Sequence, residues 1–265
     1  MSEKSLNVFY QSVTQMLRQD LTKQKKLLPQ QEIMELCASC TRKHRDLKSL
    51  LSVPAEHSPA IIGGVQKAFP HAGVVVEEFD YLQTAQLFEK NKCAAVAVVT
   101  EKHFYAGSAS MLSGITHLVA LPVIRWDFIV DAYQIWQSRI WGADAVRIVV
   151  ALLDQLELEQ IIQCADEQGI EVIAEITDLR DYERIANYTN KISAVYICTA
   201  DSDSNSTVQM LDAIKSFPRI IDTQGGKMIW DLPCEAVALF AAEYYSPARL
   251  QDFMTFIHAK NNIAD

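Results

Sequence analysis

Eight short apolar runs alternating with helical patterns predict an α/β fold, and three observations narrow it to a (β/α)8 TIM barrel with an N-terminal helical extension. Eight is the strand count of a closed barrel. Most of the runs are near-continuously apolar, as strands buried on both faces of a parallel sheet must be. The 265 residues, 49% of them hydrophobic and 22% charged, suffice for one large core. The expected organisation is a single domain over 1–265, with the extension at 1–52 and the barrel at 53–265.

In the extension, Val8, Met16, Leu17 and Leu21 keep helical spacing, Leu28-Pro29 breaks the run, and the pattern resumes from Gln31 to Leu51. The basic stretch Arg42-Lys43-His44-Arg45 reads there as a solvated helix face. Strands are expected at 61–67, 94–100, 121–126, 145–150, 171–176, 192–198, 219–222 and 236–241. Helices are expected at 81–91, 109–117, 132–141, 154–168, 178–189, 206–216 and 247–260, with a short turn after Gly226. The first strand runs into the turn Phe69-Pro70-His71-Ala72-Gly73, so its end faces a loop.

Composition excludes several classes. A net charge of −9 without clustered Lys and Arg argues against nucleic acid as a partner, since that affinity rests on phosphate neutralisation. No run approaches the roughly 18 apolar residues of a membrane span, and the N-terminus is polar, so a cytoplasmic protein is expected. The six cysteines are widely spread and expected to be reduced. Cys37 and Cys40 form a C-x-x-C, but it lies in a helical pattern and lacks a second ligand pair, so no metal or cofactor is expected. No G-x-G-x-x-G follows the first strand, which weakens a dinucleotide site.

Five stretches carry a resemblance: Ile61-Ile62-x4-Lys67-x2-Pro70, Thr100-Glu101-Lys102-x-Phe104-x2-Gly107-Ser108, Leu121-Pro122-Val123-x-Arg125-x-Asp127-Phe128-Ile129-x-Asp131-x-Tyr133-Gln134-Ile135, Gly142-Ala143-Asp144-Ala145 and Glu171-Val172-x2-Glu175. Their order and spacing resemble indole-3-glycerol-phosphate synthase over nearly the whole chain, most specifically from Leu121 to Ile135 and weakly after Cys198. The resemblance implies a (β/α) barrel with an extra N-terminal helical segment and, in tryptophan biosynthesis, a decarboxylating ring closure of an anilino-deoxyribulose phosphate. It also implies where the chemistry sits. The family's Glu and Lys of the first strand fall on Gly64 and Gln66, and its third-strand Lys falls on Trp126. Its sixth-strand Asn falls on Cys198, its seventh-strand Glu-Ser on Thr223-Gln224, and its eighth-strand Gly-Ser on Phe240-Ala241. Of that charged set Glu175 remains.

Loss of two ammonium groups removes both the acid and much of the positive field that a dianionic substrate needs, so ordinary synthase activity is not expected. Period-two alternation places Gly64 with Gln66, Ile124 with Trp126, and Glu171 and Ile173 with Glu175 on shared faces. Arg147 stands inside an apolar strand and demands a carboxylate: either an internal pair with Glu175 or Glu171, or a ligand. The leading expectation is a repurposed small-molecule enzyme of lyase or cyclase type, acting on an aromatic or indole-related substrate. Glu175 would be its acid or base, with His103 and Asp222 as supporting catalytic groups. Arg147, Gln66, Trp126, Tyr105, Phe128 and Gln224 would line the substrate site; the family uses aromatic residues at the positions of Tyr105 and Phe128 to hold the substrate's ring. The alternatives are a non-catalytic barrel that binds a ligand or a partner enzyme, and an active synthase with a rearranged catalytic set; for Trp126 the alternative to an open aromatic lining is that it fills the space of the lost Lys and closes the cavity.

Overall fold

The computed structural model describes residues 3–51, 59–70, 73–74, 78–197, 204–222, 234–240 and 245–261. Eight parallel strands close a barrel: β1 (Ala60–Val65), β2 (Ala95–Val99), β3 (Val123–Trp126), β4 (Ala145–Val149), β5 (Glu171–Ile176), β6 (Ala194–Ile197), β7 (Arg219–Asp222) and β8 (Ala236–Leu239). Each pairs with its neighbours in sequence, and β8 returns to β1 with Ala236 opposite Ala60 and Leu239 opposite Gly63. The sheet therefore has no free edge. Its inward residues, among them Ile62, Ala97, Ile124, Ala145, Ile173, Ala194 and Ile220, form one interior core, while Val96, Val98, Val146, Ile148, Val172, Ala174 and Ile221 meet the helices outside.

Helices α1 (Glu3–Leu27), α2 (Gln30–Ala38) and the short α3 (Lys48–Leu51) precede the barrel. The outer layer is α4 (Tyr81–Lys90), α5 (Ala109–Leu118), α6 (Tyr133–Trp141), α7 (Gln155–Gln168), α8 (Leu179–Ile185), α9 (Ser204–Ala213) and α10 (Pro247–Asn261). Their starts are set by local chemistry. Asp80, Ser108, Asp154 and Asp178 each cap a helix by accepting an N–H of the first turn, and Asp154 with Glu157 completes a capping box. Gly142 and Gly169 end α6 and α7 in the left-handed conformation.

Two expectations change, and others fall outside the described residues. The first strand ends at Val65, and Ala68–Phe69 instead pairs antiparallel with Gly73–Val74. The sixth strand is described to Ile197; Cys198, His71, Gln224 and the turn after Gly226 lie outside the described residues. The basic stretch is not a helix face: α2 stops at Ala38 and residues 40–46 are irregular. Two carboxylates at the lower ends of β4 and β5, the buried Asp144 and the part-buried Glu171, draw it in. Arg42 and Arg45 pair with Asp144, Arg45 also donates to the carbonyls of Leu121 and Thr116, and His44 meets Glu171 at 2.8 Å. Behind these contacts Leu47 and Leu51 plug the floor of the barrel, wholly buried.

The specific run from Leu121 to Ile135 proves to be largely architectural. Arg125 points outward from β3 into a buried net, donating to Asp127 at 2.8 and 3.1 Å, to Thr100 at 3.2 Å, to Ser138 and to the Gln134 carbonyl, with its guanidinium over the Trp141 ring. Gln134 returns to the Phe128 carbonyl and the Val130 N–H. A buried charge held this fully fixes the loop after β3.

Among the described residues, no group of three or more His, Cys, Asp or Glu is placed to hold a metal ion, and no helix is long and apolar enough to cross a membrane. The Cys37 thiol donates to the Trp136 carbonyl at 3.2 Å, and burial pushes it up to about 11. Burial likewise pushes Cys93, Cys164 and Cys234 up to about 12. Because the thiolate is the reactive species, Cys40, the part-exposed one, is expected to be the only described cysteine that Ellman's reagent titrates quickly in the folded protein. Equally fast labelling of Cys37 would show an open dithiol pair.

Candidate functional site

Parity along the strands brings most of the anticipated residues to the upper, C-terminal end of the barrel. Trp126 ends β3, Glu175 lies one residue from the end of β5, Tyr196 stands opposite Glu175 on β6, and Asp222 ends β7. Arg147 starts lower, opposite Ile173, and its long side chain climbs to the mouth. There it donates through one terminal nitrogen to Glu175 Oε2 at 2.8 Å and through the rest of its fork to the Asp127 carbonyl at 3.2 and 3.4 Å. Its guanidinium lies 5.1 Å from the centre of the Trp126 ring and 4.9 Å from that of Phe128. Arg suits this place because a planar cation both forks and stacks.

The other Glu175 oxygen accepts from Tyr10 Oη at 3.1 Å, a contact between the N-terminal helix and the fifth strand. Burial pushes the Glu175 carboxyl above the ordinary range, against the pull of Arg147 and Tyr10. Above the pair, Phe9, Tyr10, Phe104, Tyr105 and Phe128 form a ring cluster with centroids 5.1–6.2 Å apart. Beside it, Trp126 packs on Tyr196 at 5.0 Å and on Phe240 at 4.9 Å, and Tyr196 donates to Asp222 at 2.5 Å. Phe240 fills the space over Gly64: a Cβ there would lie 2.3 Å from its ring.

Glu175, Arg147, Asp222, Trp126, Tyr105 and Phe128 therefore share one neighbourhood, and of the two partners open to Arg147 the structure takes Glu175. Glu171 sits at the opposite end, accepting from Leu47 N and His44. Gln66 is buried but turned to its own turn, its amide donating to the Ala68 carbonyl while its backbone exchanges hydrogen bonds with Tyr245. His103 leaves the mouth: its ring meets Asp20 of α1 at 2.7 Å, beside Lys102. Sequence reasoning missed Tyr10 and Tyr196. Tyr196 was readable, two residues beyond inward-facing Ala194; Tyr10 carried no local signal.

A closed parallel barrel with the Arg147–Glu175 pair and Asp222 at the C-terminal ends of its strands, under an N-terminal helix, defines a (β/α)8 barrel with buried charge on the face where such folds place their sites. The chain belongs to the indole-3-glycerol phosphate synthase family, whose profile matches residues 10–197. Among curated relatives carrying that name, one from Neisseria meningitidis serogroup B is 30% identical over 211 residues, 78% of this chain and 80% of that protein. One from Campylobacter jejuni subsp. doylei is 38% identical over 168 residues, covering 63% and 64%. One from Chlorobium phaeovibrioides is 44% identical over 118 residues, covering 44% and 46%. The match thus spans less than two thirds of the Campylobacter and Chlorobium proteins. In fold, the chain is similar to N-(5'-phosphoribosyl)anthranilate isomerase from Pyrococcus furiosus (TM-score 0.55, 14% identity, 76% of this chain and 99% of that one). It is similar too to a dihydropteroate synthase from Xanthomonas albilineans (TM-score 0.51, 12% identity, 77% and 94%).

Proposed function

We propose that this chain keeps the barrel of its family, has given up the ring closure, and works as a non-catalytic binding barrel. One observation carries the reading: both oxygens of Glu175, the charged residue kept from the family's catalytic set, are taken by Arg147 and Tyr10. The positions that the resemblance assigns to the two lysines hold Gln66, bonded to its own turn, and Trp126, packed between Tyr196 and Phe240. Position 240, assigned to the phosphate, holds a phenyl ring. Among the described residues, the mouth has neither an ammonium acid nor a free glycine cradle at these positions, the groups that would drive carbonyl attack and neutralise a phosphate.

The test is turnover of the anilino-deoxyribulose phosphate, followed by indole-product fluorescence at high protein concentration. The expected rate equals the buffer control. Product well above it would overturn the reading and point to acid catalysis rebuilt on other residues.

A second reading, a repurposed lyase or cyclase for an aromatic substrate, is favoured by the raised Glu175 carboxyl, which a general acid needs near neutral pH. It requires that Glu175→Gln abolish whatever turnover is found, with the fold intact.

A further inference from the structure

We infer that α1 is a releasable strap, carrying Tyr10 across the barrel mouth and leaving it without disturbing the barrel. At 25 residues it is about 37 Å long, and from Val8 onward its buried side chains are Tyr10, Val13 and Leu21. By contrast α7, at 14 residues, buries Leu158, Ile161, Ile162, Cys164 and Ala165. Half-buried Phe9 and Leu17 add apolar packing, Phe9 against Phe104 and Phe128, and the remaining ties of α1 are polar and at its edges: Asp20 to Lys102 and His103, Arg18 to Glu157, Gln24 to Gln137, and Lys25 to Asp131. Part-exposed pairs of this kind contribute little each and weaken with salt.

Beneath the second half of the helix the packing is incomplete. A cleft of about 500 Å³ separates it from α6 and α7, with Arg18 and Lys25 on one wall, Glu157 on the other, and Trp136 and Ile161 among its lining. No ladder hydrogen bond would break on release, because all eight strands pair with one another. Release would, however, remove the Tyr10 hydroxyl from Glu175 and the Phe9 and Tyr10 rings from Phe128. The strap therefore controls access to the Arg147–Glu175 pair. Elements that open locally are those with few buried apolar contacts, which describes α1 against α7.

The inference goes beyond the binding reading and is tested without any activity. Hydrogen exchange on the full chain should show the α1 amides from residue 12 onward at least tenfold less protected than those of α7. Arg18→Glu with Lys25→Glu should speed α1 exchange about tenfold more and leave α7 unchanged; 1 M NaCl on the unaltered protein should act in the same direction. Carbodiimide labelling, read by mass spectrometry, should modify Glu175 faster in step with α1 exchange. Protection of α1 equal to that of α7, or an α1 that opens while Glu175 stays unlabelled, would overturn the strap.

Discussion

Arg147→Met is expected to cost about 3–5 kcal/mol of unfolding free energy, the range for removing one partner of a buried ion pair. The cost arises less from the lost attraction than from what remains: Glu175, inside the barrel, with Tyr10 its other bonded partner. Arg147→Met combined with Glu175→Gln should recover most of the loss, since an amide in the same place carries no charge to bury. The pH dependence has a definite sign. Burial already raises the folded carboxyl above its ordinary 4.5, and losing Arg147 raises it further. A carboxyl that binds its proton more tightly folded than unfolded stabilises at low pH, and that contribution is lost as pH rises through the window above about 4.5. The single variant should therefore be closer to the parent at pH 5 than at pH 8. Urea titrations of the three proteins at both pH values measure this; a single-variant cost below about 1 kcal/mol would mean that the pair is not desolvated.

The same pair shows how far the sequence could be read. Alternation along β5 put Glu171 and Glu175 on one inward face, and so could not say which one Arg147 meets. Parity fixes a side, not a height, and the reach of Arg147 from the Ile173 level to the mouth is a matter of register between strands. The strands themselves were legible because a closed parallel sheet buries both faces and writes its positions as unbroken apolar runs. Their ends were not, since Gln66 and Lys67 continue a readable pattern that the chain leaves to make the 68–69 and 73–74 pairing. Arg42 to Arg45 misled for another reason. Charge on a helical period reads as a solvated face, and the carboxylates that capture it, Asp144 and Glu171, lie 102 and 127 residues further on from Arg42 and His44. His103 misled because loop residues obey no parity, and its partner Asp20 belongs to a helix docked from the other end of the chain. The resemblance was strongest from Leu121 to Ile135, where the residues serve the Arg125 net. The family match ends at residue 197, just before the stretch where the likeness had weakened.

Phe240→Ala is expected to destabilise the protein by about 3–5 kcal/mol, because it empties a wholly packed position beside Trp126 at the top of the barrel. The more telling comparison is with Gly64. In the parent, Gly64→Ala would set a methyl 2.3 Å from the Phe240 ring and 2.7 Å from the Leu239 carbonyl oxygen, and overpacking of this kind costs about 1–3 kcal/mol. In the Phe240→Ala background the ring clash is gone while the contact with the Leu239 carbonyl stays, so the same substitution should cost clearly less. The two positions would then be coupled: an inward glycine on β1 exists to admit the phenyl ring from the end of β8, and the ring in turn backs Trp126. Coupling of this kind shows as a double-mutant deviation well beyond about 0.5 kcal/mol. Strictly additive costs would mean that Phe240 and Gly64 were placed independently, and the case for a mouth packed with the chain's own side chains would lose its strongest geometric support. A coupled result would tie Gly64 of β1 to the ring at β8 as a single packing unit, since a side chain at position 64 would collide with Phe240 while that ring stays.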